Sequence, residues 1–261
     1  MDDSSEQLIA AVVLLVLGLP LGSFFNVIAW RLPRGQKPWD PPRSHCPNCG
    51  AQIAARDNIP VLGWLLLRGR CRDCGAPISW RYPVFELLTG LLFAACGLKF
   101  GFSIELLPAL LFVSTLLIVS NSDIEQRIIP NAVIVPALVL GVPAMLAAYP
   151  DQWSTWLLSA VIAFSVMFLI ALAYPRGMGM GDVKLAAVMG LYLGRAVAPA
   201  LLLAFLLGTV VGLGVMARRG VAEGRKTALP FGPFMAIGGV FALFWGDDVV
   251  EWYLDTFVRE G

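Results

Sequence analysis

The sequence predicts an all-α, polytopic membrane helix bundle of about eight transmembrane helices, with a small cytoplasmic loop resembling a zinc ribbon. Three observations predict it. Of 261 residues, 58% are hydrophobic and only 14% charged, which suits a chain embedded in lipid rather than a soluble globule. Apolar runs recur at 7–30, 83–98, 104–121, 131–149, 153–174, 183–194, 197–217 and 229–246. A bilayer core about 30 Å thick takes roughly 20 residues of helix, so the second run is short and the sixth shorter still. Finally, if every run crosses once, sixteen of the nineteen Lys and Arg residues share one side, leaving Lys99, Arg195 and Arg259 on the other. That asymmetry places the long loop in the cytoplasm and the N-terminus outside. A net charge of +1 gives nucleic-acid binding no electrostatic support.

The chain accordingly reads as a first transmembrane helix over 7–30, a cytoplasmic four-cysteine loop over 31–82, a membrane core over 104–246 and an extracytoplasmic tail over 247–261. The first run is flanked by Asp2, Asp3 and Glu6. A signal peptide wants a basic flank, so a retained helix is expected. Gly18, Pro20 and Gly22 should loosen or kink it, and Gly18 with Gly22 makes a small-xxx-small pair suited to close helix packing. Asn26, near its cytoplasmic end, suits an interhelical hydrogen bond or a headgroup contact.

The loop carries Cys46-Pro47-Asn48-Cys49 and Cys71-Arg72-Asp73-Cys74. Two CxxC knuckles can close a tetrahedral four-sulfur zinc site, structural because no position stays open. Disulfides or free thiols would use the same residues, but the cytoplasm disfavours disulfides. Gly50 and Gly75 follow the second cysteine of each knuckle, where a tight turn is needed. Cys96 lies inside the second run as a small apolar residue, and His45 reads as a solvated loop residue. Because His45 is the only histidine, a two-histidine zinc protease is excluded. A Ser–His–Asp triad would have to borrow His45 from the cysteine loop. Carboxylates remain.

Glu86, one turn into the second span, either pairs with Arg81 at headgroup level or faces the loop as part of a polar site. Asp123 ends the third span, in Asn121-Ser122-Asp123, and Pro130-Asn131 opens the fourth. Asp182 opens the sixth, in Gly179-Met180-Gly181-Asp182. Taken singly, Asp123 suits a solvated turn and Asp182 a helix cap. Parity gives them a joint reading: both fall on the cytoplasmic side, and they meet if the third and sixth helices pack together. Two carboxylates held close share a proton, so one can activate water while the other donates to a carbonyl oxygen. An ion carrier is the competing class, but both acids sit at one face rather than near the midplane. An inactive assembly scaffold is a second alternative. The basic residues Arg218, Arg219, Arg225 and Lys226 suit topology and anionic headgroups.

GSFFNV at 22–27 with RLP at 31–33, the two knuckles, DNIP at 57–60, RYPVFELLTG at 81–90, Asp123 with IPN downstream, and GMGDVK at 179–184 occur together and in order. This set resembles the prepilin peptidases, the type IV leader peptidases of the GxGD aspartyl class. The resemblance implies a bacterial inner-membrane enzyme with a cytoplasmic active site. It would cut the basic leader from prepilins and pseudopilins and, in bifunctional members, N-methylate the new terminus with S-adenosylmethionine. It implies that Asp123 and Asp182 are catalytic and that Cys46, Cys49, Cys71 and Cys74 bind zinc. It also makes 18–98 a methyltransferase region containing Glu86, Asn26 and Asn58. Three departures stand out. Asn121-Ser122 replace apolar residues, which predicts a wetter helix end; Ala54-Ala55-Arg56 replace aromatic and acidic residues; and Gly63 stands where serine is usual.

Overall fold

The structure, a computed structural model, describes residues 3–40, 43–175, 177–220 and 229–259. Arg176, Arg225, Lys226, Asp2 and Glu260, on which part of the expected topology rests, lie outside the described residues. The regular elements of the described residues are helices, with no strand, only two isolated bridges, His45 with Gln52 and Arg70 with Pro77. Two compact units divide the chain, Met1–Leu106 and Leu107–Gly261.

The first unit is a helical hairpin with the cysteine loop between its arms. Helix α1 spans Asp3–Arg31 and runs through Pro20 without a break. A five-residue helix α2, Leu62–Leu66, lies in the loop, and α3 spans Arg81–Phe100. The small residues seen in the sequence are the seam. Gly18 faces Gly90, Gly22 faces Glu86 and Thr89, and Gly97 faces Ala10 and Ala11. As the numbers rise on one helix they fall on the other, so α1 and α3 are antiparallel. A Cβ at Gly18 would lie 2.8 Å from the Gly90 Cα, so the two backbones approach more closely than any larger residue allows. Phe25 and Phe93 meet edge to face at 6.5 Å further along the seam.

The second unit holds α4 (Leu106–Gln126), α5 (Asn131–Ala148), α6 (Trp153–Ala173), α7 (Met180–Leu193), α8 (Val197–Arg219) and α9 (Gly232–Leu254). Among the described residues of the whole chain, seven helical stretches are long and apolar enough to cross a membrane, one of them the 40 residues Met180–Arg219. That stretch holds the sixth and seventh expected spans, joined by a short turn at Gly194–Ala196. Packing shows that it doubles back. Helix α7 runs parallel to α5, with Lys184 beside Asn131 and Tyr192 beside Ala137. It runs antiparallel to α6, with Gly190 against Ser159 and Ala160. Helix α8 pairs antiparallel with α9 through Phe205 and Phe231 and through Ala196 and Gly246. Helix α9 is itself antiparallel to α4, with Gly239 over Phe112 and Leu116, and Gly232 over Asp123. Thus α9 runs with α7 and α8 runs against it, giving eight helices in place of seven rods. At about 1.5 Å per residue, the 14 residues of α7 reach only about 21 Å, and nine of them are buried. Helix α9 runs on to Leu254, so the residues expected to begin a tail at 247 continue the last helix.

Candidate active site and cysteine centre

Asp123 and Asp182 come from the adjoining ends of two antiparallel helices. At one end of the α4–α7 pair, Phe112 stacks on Tyr192 with ring centres 5.2 Å apart. At the other end lie the two acids, with the Asp123 carboxylate within electrostatic reach of Asp182. The chain that follows Asp123 locks onto the chain that carries Asp182. Ile129 packs on Gly181, where an added Cβ would come within 2.8 Å, and the Lys184 ammonium donates to the Asn131 side chain at 3.0 Å. Both motifs are therefore held by their own flanking residues.

Each carboxylate is gripped by a glycine amide. The Gly232 N–H, at the start of α9, donates to Asp123 Oδ2 at 2.8 Å in a buried bond. The Gly179 N–H donates to Asp182 Oδ2 at 3.2 Å. Asp182 sits at the third residue of α7 and so supplies the acidic half of a capping box. The capping role and the pairing with Asp123 coexist. Asp123 is only 6% exposed, which removes the solvated-turn alternative. Arg127 lies within electrostatic reach of it and caps α4 by donating its backbone N–H to the Asp123 carbonyl at 2.9 Å. Its φ of 55° lies in the left-handed region usually left to glycine at such a position.

The expected wetter end of α4 is not found. Asn121 and Ser122 are 3% and 0% exposed, and the Ser122 hydroxyl donates to the Ile128 carbonyl at 2.7 Å, tying down the α4–α5 turn. Ser122 is inside because its hydroxyl satisfies a backbone carbonyl that would otherwise be stranded. Gly232 was not foreseen. Its sequence signal, glycine before a proline at a helix start, marks the start of α9 but not what the amide faces.

In the first unit, the four cysteine sulfurs lie within 4.8 Å of one another and could hold a metal ion. Cys46 Sγ and Cys74 Sγ are 3.8 Å apart. A tetrahedron with metal–sulfur bonds of about 2.3 Å has an edge of about 3.8 Å, so the donor set fits a zinc-sized ion. The knuckles are near copies. Cys46 and Cys71 donate their amides to Ala51 and Ala76 at 2.9 and 2.8 Å, and accept from Gly50 and Gly75 at 2.9 and 3.0 Å. Both glycines have a φ of 71°. Backbone amides of Cys49 and Asn48 lower the Cys46 thiol below its usual range. The Ala76 amide and the Asn48 side chain bring Cys74 to about 6. At Cys49 the Ala51 amide favours the thiolate, but burial and the sulfurs of Cys74, Cys46 and Cys71 prevail and push it up to about 12. Four thiolates crowd together stably only around a cation. His45 is exposed, as expected.

The remaining candidates also lie in this unit. Glu86, 8% exposed, faces the loop: it accepts the Val61 amide at 2.7 Å and a bond from Ser23. Asn26 makes the interhelical bond, donating to the Tyr82 carbonyl at 3.3 Å. Asn58 ends a short 3-10 turn, Ala55–Asn58, and lines a cleft of about 360 Å³. Asp57 beside it receives a bidentate bond from Arg72 at 2.7 and 2.6 Å, which holds Asp57 below the usual carboxylate range. Gly63 has a steric reason: the Asp57 carbonyl lies against it where a serine Cβ would stand.

Comparison with known proteins agrees with this layout. Residues 16–100 match the profile of the bacterial peptidase A24 N-terminal domain, and residues 110–213 match that of the type IV leader peptidase family. A prepilin leader peptidase/N-methyltransferase of Bacillus subtilis is 37% identical over 243 residues, covering 93% of this chain and 97% of the relative. The proteins of that name from Stutzerimonas stutzeri and Legionella pneumophila are 37% and 36% identical, covering 96% and 92% of both chains respectively. No solved structure matches. With both halves matched by their own profiles and such relatives aligned nearly end to end, this multi-pass membrane chain belongs to the type IV leader peptidase family.

Proposed function

We propose that this chain removes the leader peptide from type IV prepilins and pseudopilins with Asp123 and Asp182 as the acting pair, and N-methylates the residue so exposed. One observation carries the peptidase reading: the two acids stand at adjoining ends of antiparallel α4 and α7, each held by a glycine amide. One carboxylate takes a proton from water as its oxygen attacks the scissile carbonyl. The other, protonated, donates to the carbonyl oxygen, and breakdown of the tetrahedral adduct returns the proton to the departing amine. The fixed oxygens keep the pair in register, so the reacting geometry is set before substrate arrives.

Zinc held by Cys46, Cys49, Cys71 and Cys74 would brace the loop and take no part in the chemistry, because four sulfurs close its coordination. S-adenosylmethionine, when bound, would supply the methyl group for the new amine. Within the first unit Glu86 and Asn26 act as positioning groups that fix the loop and the start of α3, while Asn58 faces the cleft. The density of basic residues supports an inner-membrane protein with the loop and the dyad end cytoplasmic and the N-terminus outside.

The test is mass spectrometry of a prepilin incubated with purified protein and S-adenosylmethionine, alongside Asp123→Asn and Asp182→Asn. The expected result is loss of the leader and gain of one methyl group, with cleavage abolished in either variant. Cleavage by both variants at the wild-type rate removes the dyad.

A further inference from the structure

The first unit contains a cleft whose chemistry differs from that of the dyad and of the cysteine centre. We infer that this cleft, between the cytoplasmic half of α1 and the loop residues Pro38, Trp39, Arg43, Ser44, Asn58 and Pro60, is the S-adenosylmethionine site of the proposed methyl transfer. The inference rests on that reading of the function and adds the place.

The volume, about 360 Å³, lies in the range of small-molecule sites and suits a nucleoside joined to an amino acid. Its wall from α1 is apolar, with Pro20, Phe24 and Val27. The opposing loop offers Trp39, 68% exposed. An indole left in the open beside an apolar wall is a stacking surface for a flat heterocycle such as adenine. Arg31 and Arg43 line the same cleft. The Arg31 guanidinium donates to the Pro38 carbonyl at 2.7 Å, which braces the segment carrying Trp39. Arg43 is the natural partner for the ligand's carboxylate. Ser44 and Asn58 supply hydroxyl and amide groups for ribose oxygens or ring nitrogens.

The cleft is wired to both neighbours in its unit. Ser23 lines it and also bonds Glu86, so a buried carboxylate stands directly behind its α1 wall. The Glu86 carboxylate also holds the Val61 amide, next to the cleft residue Pro60. On the loop side, the Ser44 carbonyl accepts from Ile53 at 2.9 Å, two residues before Cys46. Asn58 follows Asp57, which Arg72 clamps from inside the second knuckle. Each knuckle is thus tied through its own flanking bonds to one loop wall of the cleft.

The test is equilibrium dialysis of radiolabelled S-adenosylhomocysteine, the unreactive product form, against the purified full-length protein, its Trp39→Ala and Arg43→Glu variants, and Arg43→Lys. Bound metal and melting temperature serve as checks of folding. The expected result is binding by the wild type, at least tenfold weaker binding by Trp39→Ala and Arg43→Glu, and partial recovery in Arg43→Lys. Photocrosslinking of S-adenosylmethionine should label the peptide containing Trp39 even if a variant folds poorly. Label confined to other peptides, or undiminished binding by both variants, overturns the site while a methylating wild type leaves the function intact. A wild type that neither binds nor methylates overturns both. Displacement by ATP as effective as by S-adenosylhomocysteine overturns the ligand.

Discussion

Replacing Gly232 with alanine asks whether a backbone amide positions Asp123. The Cβ would lie 2.9 Å from Asp123 Oδ2, 3.1 Å from its Cβ and 3.3 Å from its Cγ. The first contact is too short to persist, so the carboxylate must swing away and give up its 2.8 Å bond to the Gly232 amide. A hydrogen bond to a charged group contributes about 1.5–3 kcal/mol. At about 1.36 kcal/mol per factor of ten, kcat for leader cleavage should fall between about 10-fold and 150-fold. Helix stability moves the other way, since alanine is the better helix former by up to about 1 kcal/mol. A folded but slow enzyme is therefore expected. Gly239→Ala is the comparison: its Cβ would crowd the Leu116 side chain at 2.8 Å, which should lower the melting temperature and spare kcat. The assay is the initial rate of prepilin cleavage by purified protein, with a thermal melt of each variant. If Gly232→Ala cleaves at the wild-type rate with an unchanged melt, the amide does not hold Asp123 in any way that matters to the reaction.

Three further outcomes are expected. Cys46→Ser should lose bound zinc by elemental mass spectrometry and be cut faster by trypsin after Arg68, Arg70 and Arg72; unchanged metal content would refute the four-sulfur site. The Asp57 carboxyl is held below its usual range by Arg72, so the pair's contribution is complete above the ordinary aspartate value of about 4 and is lost as pH falls through the depressed one. A carbon NMR titration of Asp57 should show this low value, and Arg72→Gln should return it to the ordinary range. Gly97→Val places atoms where an added Cβ already meets the Ala11 amide nitrogen at 2.7 Å. Overpacking of this kind costs about 1–3 kcal/mol, so the melt of the first unit should shift down.

Much of this was legible in the sequence because lipid narrows the choices. The runs that became α1 and α3 to α9 were visible as apolar stretches, and counting crossings brought Asp123 and Asp182 to the same end of the α4–α7 pair, where the two helices adjoin. The cysteine spacing carried its own geometry. What could not be read depends on contacts across long separations. The amide that holds Asp123 belongs to Gly232, more than a hundred residues away, and no local pattern links them. Ser122 and Asn121 suggested a wet helix end because polarity alone does not reveal an internal acceptor, here the Ile128 carbonyl. Gly63 looked like a missing serine until the Asp57 carbonyl was seen to fill the place of its side chain.

The shortness of α7 bears on how the protein is made. A segment of 14 residues is too short to partition into a bilayer as an independent span, and the acid near its start adds to the cost of insertion. Insertion of α7 is therefore expected to depend on α6, its antiparallel partner, and on α8, which follows the reversal at Gly194–Ala196. Helix α7 is thus held by neighbouring helices rather than by its own span of lipid, and under the proposed dyad no cleavage is expected from a chain that has yet to complete the second unit.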